Sequence, residues 1–284
     1  MIQRLVVVLL IMVVVFVGCD EKESDKVKPK EVVDEGPKKR IIWEKDGAKM
    51  VLIEGFARTK DTYDDFGDLV PGKLVKVSDP FYMDTTEVTV GQFKKFVKET
   101  GYKYDRWDDM VEYSPTDKHP IILVSWFDAT AYCEWTGKRL PTEKEWEFAA
   151  RGGLKNKEFP WGDEESIARE YANFYGVLGR DQWDKTTAPV GSFRPNGYGL
   201  HDMAGNVWEW CQNWYNRIKY PGEKAIRGGG RHLLPESLHV GCRASGIMSF
   251  RSYVTGFRCV LRVPKLDPSA QFEGNFTTTD SSVR

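Results

Sequence analysis

The sequence predicts an α+β fold that is irregular and loop-rich, with few regular helices and strands. Three observations carry that prediction. Glycine (26), tyrosine (12) and tryptophan (10) are plentiful, so large rings rather than long helices must supply the core. Helix punctuation is complete at three places, all within residues 89–153. Strand-like alternation comes only in short pieces on either side of a long stretch rich in glycine, proline, asparagine and aromatics. Lys and Arg (41) nearly balance Asp and Glu (42), which argues against a nucleic-acid partner.

The chain opens with a targeting segment. Arg4 precedes an unbroken apolar run at residues 5–17, too short for a helix that needs ~20 residues to cross a bilayer. The run closes on Phe16-Val17-Gly18-Cys19, which resembles a bacterial lipobox. This predicts a lipoprotein signal peptide over residues 1–18 and a lipid on Cys19 as the membrane anchor. The alternative is an ordinary secretory signal peptide cut near the same place. Asp20 resembles a signal for retention at the periplasmic face of an inner membrane. Residues 19–42, rich in Lys, Glu and Asp, predict a disordered tether. Residues 43–264 form the domain, and residues 265–284 a polar tail.

Within the domain, residues 41–53 intersperse apolar and polar side chains and predict one or two strands. Residues 55–72 predict loop, and residues 74–83 a strand around Pro80. The first helix is capped by Thr89 with Gln92, buries Val90, Phe93, Phe96 and Val97, and stops at Gly101. The second starts at Ser125 with Asp128, turns Ala131 and Trp135 inward, and stops at Gly137. The third pairs Thr142 with Glu145 as a capping box, buries Trp146, Ala149 and Ala150, and ends at Gly152-Gly153. Residues 159–199 predict short strands and long loops. Two further strands are predicted at residues 226–230 and 256–262.

The chain is organised around residues 199–214, Gly-Leu-His-Asp-Met-Ala-Gly-Asn-Val-Trp-Glu-Trp-Cys-Gln-Asn-Trp. Three tryptophans beside Asp202, Asn206 and Glu209 read either as a core turn with solvated acids or as a loop of hard oxygen donors suited to calcium. Five cysteines are present: Cys19, Cys133, Cys211, Cys242 and Cys259. With Cys19 lipidated, four remain in an exported domain, where pairing is favoured and three pairings are open.

Ordered motifs then point to a family. Lys138-Arg139-Leu140-Pro141-Thr142-Glu143-Lys144-Glu145-Trp146-Glu147, Gly205-Asn206-Val207-Trp208-Glu209-Trp210, Arg227-Gly228-Gly229 and Gly256-Phe257-Arg258-Cys259 resemble formylglycine-generating enzymes, the sulfatase-modifying-factor family. Glu87-Val88-Thr89, Pro160-Trp161-Gly162 and Ala188-Pro189-Val190-Gly191 agree, and the resemblance runs from about Met50 to Val263. It implies the family's fold, related to C-type lectins, and two calcium sites. One set is Asn173, the Phe174 carbonyl, Asp181 and the Trp183 carbonyl. The other is Asp202, the carbonyls of Gly205 and Val207, and Glu209. It also implies disulfides Cys133–Cys259 and Cys211–Cys242.

The family's activity uses copper(I) on two thiolates to oxidise a client cysteine. The corresponding positions here are Leu233 and Leu238, with Gly230 where the family has serine, so copper and formylglycine generation are not expected. The segment offers Arg231, His232, Glu236, His239 and Arg243 instead, with His232 and His239 as weak catalytic or metal-binding candidates. The expected function is a lipid-anchored envelope module, calcium-stabilised, that binds or scaffolds an unidentified envelope protein, peptide or glycan. The alternatives are a family enzyme of changed, non-copper chemistry or, less favoured, the parent activity.

Overall fold

The computed structural model describes residues 38–59, 62–63, 69–70, 74–175, 183, 185–263 and 276–277. The signal segment, Cys19, most of the tether, Asp181 and nearly all of the polar tail lie outside the described residues.

In chain order the elements are β1 (Arg40–Trp43), β2 (Ala48–Ile53), β3 (Phe56–Thr59), β4 (Thr62–Tyr63), β5 (Leu69–Val70), β6 (Leu74–Ser78) and β7 (Phe81–Asp84). Helices α1 (Val90–Thr100), α2 (Trp107–Val111), α3 (Trp126–Thr136) and α4 (Glu143–Ala150) follow. The chain closes with β8 (Trp208–Asn216), β9 (Tyr220–Arg227), β10 (Arg243–Ile247), β11 (Thr255–Gly256), β12 (Val260–Arg262) and β13 (Phe276–Thr277).

The three punctuated helices form where their caps place them. Thr89, Ser125 and Thr142 each accept the N3 amide while Gln92, Asp128 and Glu145 return the bond, which satisfies donors left open in a first helical turn. The inward face of α3 is rotated from the expected one. Ala129, Tyr132, Cys133 and Thr136 are buried, whereas Ala131 and Trp135 are half-buried, because packing rather than local apolarity chooses the stripe. Residues 55–72 are also not all loop, since β3 pairs with β6 and β4 with β5. Between residues 159 and 199 the described residues hold a short 3-10 turn at Glu165–Glu170 and an isolated bridge from Phe159 to Gly162 rather than strands.

Two sheets carry the core. One has the order β12-β7-β2-β1-β13, the other β10-β9-β8-β11. In the first, Val51, Ile53, Phe81 and Met83 pack with Trp146, Ala149 and Ala150 of α4, while Met50 and Tyr82 face the opposite way with Ile41. This is the period-two alternation of strands covered on both faces. In the second, Trp210 and Ile226 join the cluster containing Phe93, Tyr132 and Phe257, and Cys211 and Ala225 turn to the α4 side.

The expected 199–214 loop is therefore half strand. Trp208 and Trp210 are buried as core anchors, and Trp210 Nε1 donates to the Val124 carbonyl at 2.9 Å.

Candidate functional site

The loop that feeds β8 is held in an uncommon backbone conformation. Asp202 and Asn206 have φ of 58° and 56°, a left-handed region in which Asp and Asn are the side chains best tolerated. Gly205, between them, has φ 73°, and a Cβ there would stand 2.3 Å from the Asn173 carbonyl oxygen. Asn206 explains the fixity. Its Oδ1 accepts the Ala188 amide at 2.9 Å and its Nδ2 donates to Glu87 Oε1 at 2.9 Å.

Glu209 does not present itself to a metal. The Arg258 guanidinium donates to both of its oxygens at 2.7 Å, and Trp146 Nε1 donates to Oε2 at 2.7 Å. Carboxylate and guanidinium are both fully buried, so each is the charge that makes the other's burial tolerable. Asp202 differs. Its Oδ2 accepts the Gly191 amide at 2.7 Å, but its Oδ1 is buried with no donor, as is Oε2 of Glu87. Burial pushes both carboxyls above the usual carboxylate range, and for Glu87 the nearby Asp202 charge adds to the effect. Of the expected second calcium set, Asp202 thus keeps one oxygen without a donor, while both oxygens of Glu209 are hydrogen-bonded.

The first expected set fits less well. The Phe174 carbonyl accepts from Arg169 Nη1 at 3.0 Å, which places a guanidinium where a cation would have to sit. The Trp183 carbonyl accepts both the amide and the hydroxyl of Thr186 at 2.8 Å. Asn173 donates its Nδ2 to Asn206 Oδ1 at 3.3 Å, and Asp181 lies outside the described residues. Asn173 supports the 199–209 loop as a hydrogen-bonding partner, since its carbonyl also accepts the Asn206 amide at 2.8 Å.

All four described cysteines are thiols. Cys133 and Cys259 stand with sulfurs 3.0 Å apart in the core, about 1 Å beyond the bonded S–S distance. The pairing expected for Cys211 and Cys242 is contradicted by the sheet. Cys211 lies on β8 and Cys242 directly precedes β10, with β9 between those strands. Strands ~4.8 Å apart put non-adjacent neighbours beyond disulfide reach.

In the segment after β9, Leu233 and Leu238 make apolar contacts. Leu238 is 1% exposed among Phe159, Phe174 and Ala204, and Leu233 packs against the cluster around Trp210. Gly230 precedes an exposed His232, whose basicity is lowered by partial burial and by Arg231. His239 sits edge-on to Phe159, with Nε2 3.8 Å from Glu158 Oε2. Neither histidine joins a group of three His, Cys, Asp or Glu side chains suited to a metal among the described residues. A cleft of about 870 Å³ is lined by Glu147, Phe148, Arg151, Tyr198, His239 and Cys242, so Cys242 is open to reagents and Cys211 is not.

Sequence reasoning assigned no role to Glu87 or Arg258, and gave Trp146 only a place on the buried side of the third helix. Each lies in a quoted motif, but nothing local signals that residues 87, 202, 209 and 258 converge. The available signal was the excess of acids in apolar surroundings, which requires buried counter-charge.

Comparison with known proteins agrees with the motifs. The sulfatase-modifying factor enzyme 1-like domain matches residues 41–263. The formylglycine-generating enzyme of Bos taurus is 34% identical over 243 residues, covering 68% of this chain and 63% of the relative. That of Streptomyces coelicolor is 35% identical over 243 residues, covering 63% of this chain and 77% of the relative. The chain thus spans under two thirds of the bovine protein's length. Among solved structures, PvdO from Pseudomonas aeruginosa superposes with a TM-score of 0.64 at 28% identity, over 81% of this chain and 100% of that one.

Proposed function

This chain belongs to the sulfatase-modifying factor enzyme 1-like family, and from that membership we propose that it is a lipid-anchored envelope protein whose domain binds or scaffolds a partner instead of generating formylglycine. The observation that carries the reading is the pair Leu233 and Leu238 at the thiolate positions, with Leu238 enclosed among Phe159 and Phe174. Copper(I) demands soft sulfur donors, and leucine has none. Cys211 and Cys242 do not substitute for the pair, because a whole strand, β9, separates β8 from the segment that carries Cys242.

In this reading calcium is structural and is held at Asp202, with carbonyls of the 205–207 turn. It supplies positive charge to a buried acidic loop. The membrane is reached through lipid on Cys19. The partner, an envelope protein, peptide or glycan, meets a face that leaves Tyr175, Leu234 and Tyr253 exposed by 43%, 48% and 45%. That face is anchored from beneath, since Tyr175 N donates to the Leu233 carbonyl and Arg231 Nη1 to the Tyr253 carbonyl.

The test is incubation of the purified chain with copper(I), oxygen and a sulfatase-type cysteine peptide, followed by mass spectrometry and metal analysis. No aldehyde and no stoichiometric copper are expected. Aldehyde formation would restore the parent activity. Stoichiometric iron or copper lost on replacing His232 or His239 would establish a changed chemistry. Co-purification from membranes through a C-terminal tag then identifies the partner.

A further inference from the structure

The hairpin formed by β8 and β9 gathers aromatic and cationic side chains that the site above does not use. From Trp214 to Lys224 it reads Trp-Tyr-Asn-Arg-Ile-Lys-Tyr-Pro-Gly-Glu-Lys. Ile218, in the turn between the strands, is 96% exposed. A single exposed isoleucine is ordinary, but this one stands between Arg217 and Lys219, and the strands that lead to it carry Trp214, Tyr215 and Tyr220. Arg217 Cζ lies 5.2 Å from the centre of the Trp214 ring, and Lys219 Nζ 5.5 Å from that of Tyr220. The Tyr215 and Tyr220 rings are 5.7 Å apart. Lys224 pairs with Trp214 across the strands, its Nζ 3.9 Å from that ring and 3.0 Å from the Gln212 carbonyl.

The charge at the tip has no internal counterpart. No Asp or Glu occurs from Gln212 to Gly222. At the base of the hairpin, Glu223 accepts from Ser245 Oγ, and Glu143 is taken by Arg227 and Arg243. Among the described residues neither Arg217 nor Lys219 forms an ion pair. Two unmatched cations thus flank an apolar tip on a chain whose acids and bases otherwise balance, 42 against 41. The turn also satisfies its own backbone. Asn216 Oδ1 accepts the Ile218 amide at 3.0 Å and the Lys219 amide at 2.9 Å, and Pro221 has no N–H to satisfy. Three positions of the tip therefore make no demand on water, which lowers the cost of entering a region poor in it.

We propose that this hairpin is a membrane-contact wedge: Ile218 enters the headgroup boundary of an anionic phospholipid bilayer, with Arg217 and Lys219 on the lipid phosphates. Trp214, Tyr215 and Tyr220 then lie at the depth where Trp and Tyr rings are favoured, and the two cations reach outward from apolar stems. Lipid on Cys19 would hold the domain within roughly 70 Å of the bilayer even with the intervening residues fully extended. At the resulting effective concentration a weak wedge is enough to set which face the domain turns outward. That tethering rests on the lipid-anchor reading above; the affinity of the hairpin for anionic lipid does not.

The test is hydrogen exchange and flotation of the full chain, purified in detergent and mixed with preformed vesicles. One set is phosphatidylcholine alone, the other phosphatidylcholine and phosphatidylglycerol in equal parts. Wild type should float with both. Exchange over residues 214–222 should be slower on the anionic set by roughly thirtyfold, about fivefold for each cation, and high salt should remove the difference. The variant Arg217→Gln/Ile218→Ser/Lys219→Gln alters only exposed side chains, so it should melt with wild type, float equally and exchange at one rate on both sets. Equal exchange of wild type on both sets, or slowing retained in the variant, overturns the proposal. Slowing that appears only when membrane proteins are added assigns the hairpin to a protein partner and overturns it too. If wild type does not float with phosphatidylcholine, the lipid-anchor reading falls instead. Flotation with the anionic vesicles then decides the wedge: wild type floating and the variant not floating supports it, and both failing to float overturns it.

Discussion

Removing the guanidinium of Arg258 would strand the Glu209 carboxylate at full burial, with only Trp146 Nε1 left as donor. Arg258→Met is expected to cost about 3–5 kcal/mol, the penalty for an uncompensated buried charge. Urea denaturation in calcium-free buffer measures it. A second residue-scale prediction concerns pH. Lys138 Nζ lies 2.8 Å from both Asp46 Oδ2 and Asp84 Oδ1, all three side chains being buried. Burial raises the Asp84 carboxyl to about 6 despite the Lys138 charge, and the Asp46 carboxylate adds to the rise. A raised carboxyl pKa means that the folded state binds the proton more tightly than the unfolded chain does. The associated stability is fully present below the unfolded value of ~3.9 and is lost as pH rises through about 6. Urea midpoints taken from pH 4 to pH 7 should fall for wild type relative to Asp84→Asn.

Helix starts decide where the aromatic layer sits. Ser125 Oγ accepts the Asp128 amide at 3.2 Å and Asp128 Oδ2 accepts the Ser125 amide at 2.7 Å. The adjacent Trp126 then reaches the Cys211 carbonyl through its Nε1 at 3.0 Å, linking α3 to β8. Ser125→Ala should cost about 1–2 kcal/mol and Ser125→Gly only a few tenths, with chemical denaturation separating the two. The turn into β8 is less forgiving. At Gly205 the left-handed φ of 73° and a Cβ 2.3 Å from the Asn173 carbonyl act together. Gly205→Ala is expected to cost roughly 2–5 kcal/mol, read as a drop in urea midpoint.

At the scale of the molecule, the Cys133 and Cys259 thiols join α3 to the strand-forming C-terminal segment across 126 residues. Closing them would remove loop entropy from the unfolded chain worth about 5 kcal/mol in the chain-entropy model. Oxidation should therefore raise the melting temperature of wild type and leave that of Cys133→Ser unchanged. Peptide mapping of the oxidised protein should find one intramolecular disulfide in the domain, not two. Cys242, lining the cleft, should alkylate in the folded state. Cys211, wholly buried with its thiol pKa raised by that burial, should alkylate only on unfolding.

The sequence by itself determined the fold class, the caps of α1, α3 and α4, the burial of Trp208 and Trp210, and the family. Those features are written in contiguous residues: a cap needs a side chain three positions from its partner, and a motif needs only order. The leucines at 233 and 238 were legible for the same reason. Tertiary structure alone decided which acids are paired. Glu209 takes Arg258 from 49 residues away, and Glu87 meets Asn206 from 119 residues away, so no local spacing could say which carboxylate takes the guanidinium. It likewise separated Cys211 from Cys242. Their spacing along the chain permits a bridge, but strand order puts β9 between β8, which carries Cys211, and β10, which Cys242 directly precedes.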